Sequence, residues 1–390
     1  MDSASHKTGP LACIVGARPN YMKMAPLVRA FGRHRSLPEV VLVHTGQHYD
    51  VAMNERLFAD LELPTPDVNL EVGSGTHAVQ TAEIMRRFEP VLDEIRPSCI
   101  VVVGDVNSTL ACSLVAIKMG IPVVHVEAGL RSFDREMPEE INRILTDQIA
   151  DLLFTTERSA ADNLAREGIA PERIRFVGNV MIDSLLFHRK RATQPATTLA
   201  SAGIAADFLQ GAAGFGVVTL HRPSNVDTPS AMREAVSLLR DVAVRIPLIW
   251  PVHPRAKANI ELFGLAPLLA NSRIALLPPQ GYLEMLGLLA NAKLVLTDSG
   301  GIQEETTALA VPCLTMRDNT ERPITVAQGT NTLVGRSRQL ALDCVEEILR
   351  TGGKQGRSPE LWDGLAAGRI AEELHTFLHA ADTTREKVPA

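Results

Sequence analysis

The chain has 390 residues, 45% of them apolar, and a formal net charge of −6. That length favours two domains over one, each long enough for its own core, and the negative balance argues against nucleic acid as a partner. No apolar run approaches the roughly 18 residues that a membrane helix needs, and the segment Met1–Pro10 lacks a signal-peptide core, so no membrane association is expected.

Five cysteines (Cys13, Cys99, Cys112, Cys313 and Cys344) lie scattered in mostly apolar contexts with no C-x-x-C pair. They read as buried free thiols of a reducing compartment, and a soluble cytoplasmic enzyme is expected.

The N-terminal half alternates short β-rich runs with longer amphipathic segments. Strands are predicted at Leu11–Val15, Val40–His44, Cys99–Gly104, Pro122–Val126, Leu152–Thr155 and Ile174–Val177. Helices are predicted between them at Met22–Phe31, Ala78–Ile95, Ser108–Met119, Pro138–Ala150 and Ala160–Glu167. From 191 to 213 the sequence turns rich in Ala, Thr, Ser and Gly and reads as a connection, with room for a short helix. The rhythm restarts with strands at Gly216–Leu220, Leu248–Pro251, Ile274–Leu277, Lys293–Thr297, Pro312–Met316 and Thr332–Val334, and an amphipathic terminal helix is predicted over Leu361–Leu378.

This βαβα order predicts an α/β protein of two Rossmann-like, doubly wound parallel-sheet domains facing a central cleft. The expected division is 1–190, a linker at 191–213, 214–360, and a C-terminal helix over 361–390 that packs back on the first domain.

In such sheets ligands sit beyond the carboxyl ends of the strands. Polar clusters follow the predicted strands repeatedly: Gly16-Ala17-Arg18-Pro19-Asn20 with Lys23 one turn on, Gly104-Asp105, Glu127 to Arg131, His221-Arg222, His253, and Asp298-Ser299-Gly300-Gly301. The last cluster follows the apolar run Leu294–Leu296 and leads into Ile302-Gln303-Glu304-Glu305. Two glycines entering a helix offer bare N–H groups and the positive end of the helix dipole to a phosphate, and an early glutamate suits ribose hydroxyls. The same residues also fit an ordinary helix start whose acids complement the dipole.

Other motifs point elsewhere less well. Gly73-Ser74-Gly75-Thr76-His77-Ala78 matches G-x-G-x-x-A, but it follows a short polar stretch and is not the first strand-to-helix turn, so it reads as a loop and not as an NAD site. No ligand spacing for a metal appears among His125, Glu127, His221 and His253, and no G-x-S-x-G elbow is present. Neither a metal nor a cofactor is expected.

Asp105, Glu127 and Glu139 are the candidates for proton transfer, with Arg18, Lys23 and Arg131 as neighbouring cations. Asp105 and Glu127 end very apolar strands and read as buried functional carboxylates. Glu139, beside Glu140 after Pro138, fits a helix first turn equally well.

These motifs together resemble the non-hydrolysing UDP-N-acetylglucosamine 2-epimerase family. The resemblance rests on nine ordered segments: GARPNYMKMAPL (16–27), VVGDVNSTLA (102–111), HVEAGLRS (125–132), PEEINR (138–143), GNVMID (178–183), TLHRPSNVD (219–227), PVHP (251–254), LTDSGGIQEE (296–305) and MRDNTERPITVAQGT (316–330). It implies the two-domain arrangement of many nucleotide-sugar glycosyltransferases (GT-B-like), a homodimer, a UDP-sugar as partner and no cofactor.

The implied reaction is reversible inversion at C2 of a UDP-N-acetyl sugar, by elimination of UDP to a 2-acetamidoglucal and re-addition. Carried onto this sequence, Asp105, Glu127, Glu139, Lys23 and His221 serve the chemistry. Arg18, Arg131, His221, His253, Ser299, Gly300, Gly301, Glu305 and Arg322 hold the substrate and its UDP. Relatives acting on UDP-N-acetylgalactosamine or diacetamido-uronic acids leave the sugar open.

The chain departs from the family where His221-Arg222-Pro223-Ser224 replaces HRRE, where Asn20 replaces a glutamate, and at Asp50. The second arginine of HRRE and the residue that Asp50 replaces belong to a site for activation by substrate in some bacterial members, and rates hyperbolic in substrate are expected here. Three rival readings fit the sequence less well. A glycosyltransferase lacks support because no two glutamates stand eight apart around Glu304 and Glu305. A hydrolysing epimerase is disfavoured by GARPNYMK and TERP, and a silent binder by retention of Asp105, Glu127, Glu139 and His221.

Overall fold

The computed structural model of the chain describes residues 9–46, 51–205, 207–210, 213–270 and 272–385. By their contacts they form two units: one comprises the chain up to Ser184 and from Glu360 on, the other Leu185–Pro359.

The first unit holds a seven-stranded sheet of β1 (Leu11–Val15), β2 (Val40–His44), β3 (Val68–Asn69), β4 (Cys99–Val103), β5 (Val123–Ala128), β6 (Leu152–Thr155) and β7 (Ile174–Phe176), in the order β3-β2-β1-β4-β5-β6-β7. The second holds six strands, β8 (Gly216–Thr219), β9 (Leu248–Pro251), β10 (Ile274–Leu277), β11 (Leu294–Thr297), β12 (Cys313–Thr315) and β13 (Asn331–Leu333), in the order β10-β9-β8-β11-β12-β13. All recorded pairings are parallel. The strand order reverses between β1 and β4 in one unit and between β8 and β11 in the other, which are the points where such sheets open a crevice.

Strand sequences explain why both faces are covered. In the second unit Val218, Leu248, Trp250, Leu294 and Leu296 belong to one apolar cluster, while their alternating neighbours Val217, Ile249 and Val295 belong to another with Phe215 and Leu288. A strand apolar at every position must be buried on both sides, so helices flank the sheet on each face. In the first unit LACIV of β1 and CIVVV of β4 are buried throughout.

Several boundaries differ from the sequence-based expectation, each for a local reason. The first helix begins at Arg18, not Met22, because Pro19 presets the first turn and Asn20 Oδ1 accepts the Ala17 N–H at 3.2 Å. Thr76 in the glycine-rich stretch is the N-cap of the helix His77–Ile95, its hydroxyl accepting the Val79 N–H at 3.3 Å. Helices Val51–Leu61 and Val180–His188 and the short strand β3 were not expected.

The stretch 191–213, read as a connection, contains the helix Pro195–Ser201, whose Leu199 is buried in the second unit's core. The terminal helix spans Ala366–Arg385, not Leu361–Leu378. Left-handed backbone at Leu361 and Gly364 delays it, and the Asp183 carboxylate accepts the Ala366 and Ala367 N–H groups at 3.2 and 2.7 Å where it starts. This helix lies in the first unit, as does Trp362, whose indole N–H donates to Thr156 O at 3.1 Å. No helix among the described residues is long and apolar enough to cross a membrane.

Candidate active site

In the first unit polar groups gather at the carboxyl ends of β1, β4 and β5. Lys23, one turn into the helix after β1, puts Nζ 2.6 Å from Glu127 Oε1, with the two residues only 5% and 3% exposed. Gly104 makes room for them: at φ +65°, a Cβ there would lie 2.8 Å from Lys23 Nζ and 3.8 Å from Glu127 Oε1. Asn20 Nδ2 donates to Val103 O at 2.8 Å, tying the same helix to the end of β4. Glu127 itself sits at φ +74° in an irregularity of β5 between Val126 and Ala128. That bulge breaks the alternation expected to set His125 and Glu127 on one face.

Asp105, whose side chain is 21% exposed, is paired with Arg143, which also holds Glu140 Oε2 at 2.5 Å. Asn142 Nδ2 donates to Asp105 O at 2.9 Å and to Asn107 Oδ1 at 3.2 Å. The two principal carboxylates therefore differ: Glu127 is sealed against an ammonium, and Asp105 is partly open to solvent beside a guanidinium.

Glu140 is a buried brace that accepts the Ser132 and Phe133 N–H groups at 3.0 and 2.8 Å. Glu139, in the same first turn, is half-buried. Arg18 is the first residue of its helix and half-buried.

The structure gives Arg131 a different place from the one expected. Its guanidinium donates to Glu167 at 2.8 and 2.6 Å and to Leu130 O at 2.7 Å, and lies 2.8 Å from Asp147 Oδ2. It is buried and committed to protein acceptors, so it stands as a scaffold cation. Asp147 in turn bonds His125 Nδ1 at 2.7 Å, and His125 Nε2 bonds Gly104 O at 2.8 Å.

In the second unit the centre is Asp298, fully buried just after β11. Its carboxylate accepts the N–H groups of His221 and Arg222 and the Asn225 amide, all at 3.0–3.1 Å, and lies 2.9 Å from His221 Nδ1. Burial pushes this carboxyl up, but the bonds from His221, Asn225 and Arg222 outweigh it and leave it below its ordinary value. His221 is fixed through Nδ1 while its side chain keeps 39% exposure. The His253 ring lies 5.9 Å from it, centroid to centroid, and His253 Nδ1 accepts the Arg255 N–H at 3.3 Å.

Ser299 begins the helix Gly300–Leu309 without a side-chain cap, which leaves first-turn N–H groups for an anion. A Cβ on Gly300 would collide with Glu321 Oε1. Gly301 follows, half-buried.

Glu304 and Glu305 are both buried one turn further on. Glu304 Oε1 pairs with Arg322 Nε at 3.0 Å. Burial first, and the Glu304 charge second, push Glu305 up to about 8, with the Tyr282 hydroxyl pulling the other way. Glu321 pairs with Arg317 at 2.7 Å and lies 3.7 Å from Arg222.

Lys23, Glu127 and Asp105 are thus brought together in one unit, and His221, His253, Ser299, Gly300, Gly301, Glu305 and Arg322 in the other. The sequence reading placed Asn20 and Asp298 within its strand-end clusters but gave them no role of their own, and it gave Arg143 none outside the PEEINR segment. Asp298 had a signal, an acid between an apolar strand and two glycines. Arg143 and Asn20 had none beyond their motifs. Asp50 lies outside the described residues. Among those residues no group of three or more His, Cys, Asp or Glu is arranged to hold a metal.

A family model described as UDP-N-acetylglucosamine 2-epimerase matches residues 31–375. A UDP-2,3-diacetamido-2,3-dideoxy-D-glucuronate 2-epimerase of Pseudomonas aeruginosa is 42% identical over 367 residues, covering 93% of this chain and 98% of that protein. A UDP-N-acetylglucosamine 2-epimerase of Methanocaldococcus jannaschii is 43% identical over 346 residues, 87% of this chain and 92% of that one. The crystal structure of the M. jannaschii UDP-GlcNAc 2-epimerase in complex with UDP-GlcNAc and UDP matches with a TM-score of 0.84 at 40% identity, covering 94% of this chain and 99% of that one.

Proposed function

The chain belongs to the UDP-N-acetylglucosamine 2-epimerase family, and on that premise we propose that it reversibly converts UDP-GlcNAc to UDP-ManNAc without releasing the free sugar. The observation that carries this is the pair of carboxylates in unlike settings, Glu127 sealed on Lys23 and Asp105 partly open beside Arg143. Inverting C2 needs a proton removed from one face and returned to the other, which calls for more than one acid–base group.

C2 has no adjacent carbonyl, so departure of UDP leads. Charge builds on the leaving pyrophosphate, and N–H groups of the Ser299-Gly300-Gly301 turn, with His221 Nε2, suit its stabilisation. His221 owes its outward Nε2 to the Nδ1 contact with Asp298. Glu305 suits the ribose hydroxyls. Lys23 holds the Glu127 carboxyl group in place for proton transfer, and Glu139 is assigned an assisting role. The working unit we propose is a homodimer, checked by its mass in solution.

The test is proton NMR of UDP-GlcNAc with the protein in D2O. UDP-ManNAc with deuterium at C2 in both sugars is the expected result. Free N-acetylmannosamine with accumulating UDP would move the protein to the hydrolysing branch. Rates are expected to be hyperbolic in substrate, and a sigmoidal curve counts against this.

A second reading, a UDP-diacetamido-uronic acid as substrate, is favoured by the P. aeruginosa relative. Exchange with that sugar alone would select it, and UDP-N-acetylgalactosamine is the next sugar to try.

A further inference from the structure

Seven residues other than glycine take a positive φ among those described: Glu62, Glu71, Arg96, Glu127, Phe133, Ala310 and Leu361. Most have a local reason. Arg96 and Ala310 are helix C-caps, and Glu62 directly follows the helix Val51–Leu61. Glu71 turns the chain after β3, its N–H bonded to Asn69 Oδ1 at 3.1 Å. Leu361 packs its carbonyl where Gly178 leaves space. Glu127 belongs to the proposed chemistry. Phe133 remains.

Phe133 has φ +60° and its residue is 75% exposed. A left-handed backbone is unfavourable for an aromatic residue, and a ring in water gains nothing by burial, so neither local energetics nor packing accounts for it. What holds it there is specific. Its N–H donates to Glu140 Oε1 at 2.8 Å, and Glu140 is buried and pinned by Arg143, whose other arm holds Asp105. The ion-pair chain that positions Asp105 therefore also imposes the strained peptide that displays the ring, in the connection that follows Glu127.

We propose that Phe133 is a substrate-contact residue whose ring packs on the sugar ring of the UDP-N-acetylhexosamine, setting affinity for the sugar half and not the nucleotide. Pyranose C–H groups match an aromatic face, and a backbone already fixed through Glu140 presents the ring at a reduced ordering cost. This inference rests on the epimerase reading.

Phe133→Gly, Phe133→Ala and Phe133→Tyr would be compared by calorimetric binding of UDP and of UDP-GlcNAc, by KM and kcat for epimerisation, by Tm and by mass in solution. Phe133→Gly is expected to raise Tm, because the strain is relieved, while KM for the UDP-sugar rises about tenfold or more, as the loss of one good apolar contact gives. UDP affinity should stay unchanged, and Phe133→Tyr should keep the wild-type KM.

An unchanged KM in Phe133→Gly overturns the proposal, as does a parallel loss of UDP affinity. A fall in oligomeric mass at unchanged KM also overturns it, by placing the ring against a second copy. A wild-type protein that turns over no UDP-sugar would instead overturn the epimerase reading itself.

Discussion

His221 Nδ1 lies 2.9 Å from Asp298 Oδ1, and the same carboxylate accepts the backbone N–H groups of both His221 and Arg222. One buried acid on β11's exit thus fixes both the ring and the peptide that follow β8.

Asp298→Asn should therefore disturb more than one bond. An amide cannot accept from all four donors, and one N–H left buried and unsatisfied costs about 1–3 kcal/mol. We expect a lower Tm, weaker UDP binding and turnover down about a hundredfold as His221 loses its orientation. Because the folded carboxyl lies below its ordinary value, its contribution is complete above the unfolded value near 3.9 and is lost as pH falls through the folded one. Urea unfolding between pH 3 and 7 should show an acid-side loss that is smaller in the Asn variant.

Lys23 and Glu127 form the corresponding pair in the first unit. Removing one partner strands the other charge, and Lys23→Met should cost about 3–5 kcal/mol. The double variant Lys23→Met/Glu127→Gln should lose much less than the sum of the singles, which a double-mutant cycle by denaturant unfolding measures. Glu127→Gln should abolish deuterium exchange at C2 while UDP binding persists. Exchange at the wild-type rate would remove Glu127 from the chemistry.

The parts of this architecture that were legible in the sequence are those set by local pattern. Continuous apolar runs such as Leu294–Leu296 and Cys99–Val103, short and bounded by turn residues, read as strands buried on both faces, and they were placed to within a residue. Polar clusters at their ends pointed to a candidate site because the topology gathers strand ends within each sheet. What was not legible depends on partners distant in sequence. Arg131 looks like a ligand-binding cation until Glu167 and Asp147 are seen to occupy it. The terminal helix starts at Ala366 because Asp183 caps it from across the fold. The helix Val180–His188 is apolar on most sides, so it offers no amphipathic period to read.

Gly104 is a position where a methyl group should be decisive. Its φ of +65° disfavours any side chain, and a Cβ would stand 2.8 Å from Lys23 Nζ. Gly104→Ala should force the ammonium off Glu127, costing about 1–3 kcal/mol for the backbone conformation alone. Activity should fall by at least the effect of Lys23→Met, read as turnover and Tm together. A Gly104→Ala enzyme of normal kcat would mean that the Lys23–Glu127 contact is dispensable.

Glu305 offers a test by pH. Glu304 is paired with Arg322, so of the two neighbouring acids it is Glu305, buried and facing that charge, that holds its proton, up to about 8. A folded value raised above the unfolded one of 4.5 means that the folded state binds the extra proton between those values. Stability then falls as pH rises across that window, by up to about 1.4 kcal/mol per pH unit, and levels off above it. Glu305→Gln should flatten this slope and unfold at higher temperature than wild type at pH 8.5, with little difference at pH 5. Binding should run the other way. If ribose hydroxyls donate to the ionised carboxylate, UDP must displace the proton, so its affinity should climb with pH from 6.5 to about 8 and then level, while the Gln variant binds more weakly and without that slope. Calorimetry in two buffers of different ionisation heat would count the proton directly. A wild-type affinity flat across this range, with no proton released, would take Glu305 out of the ribose site.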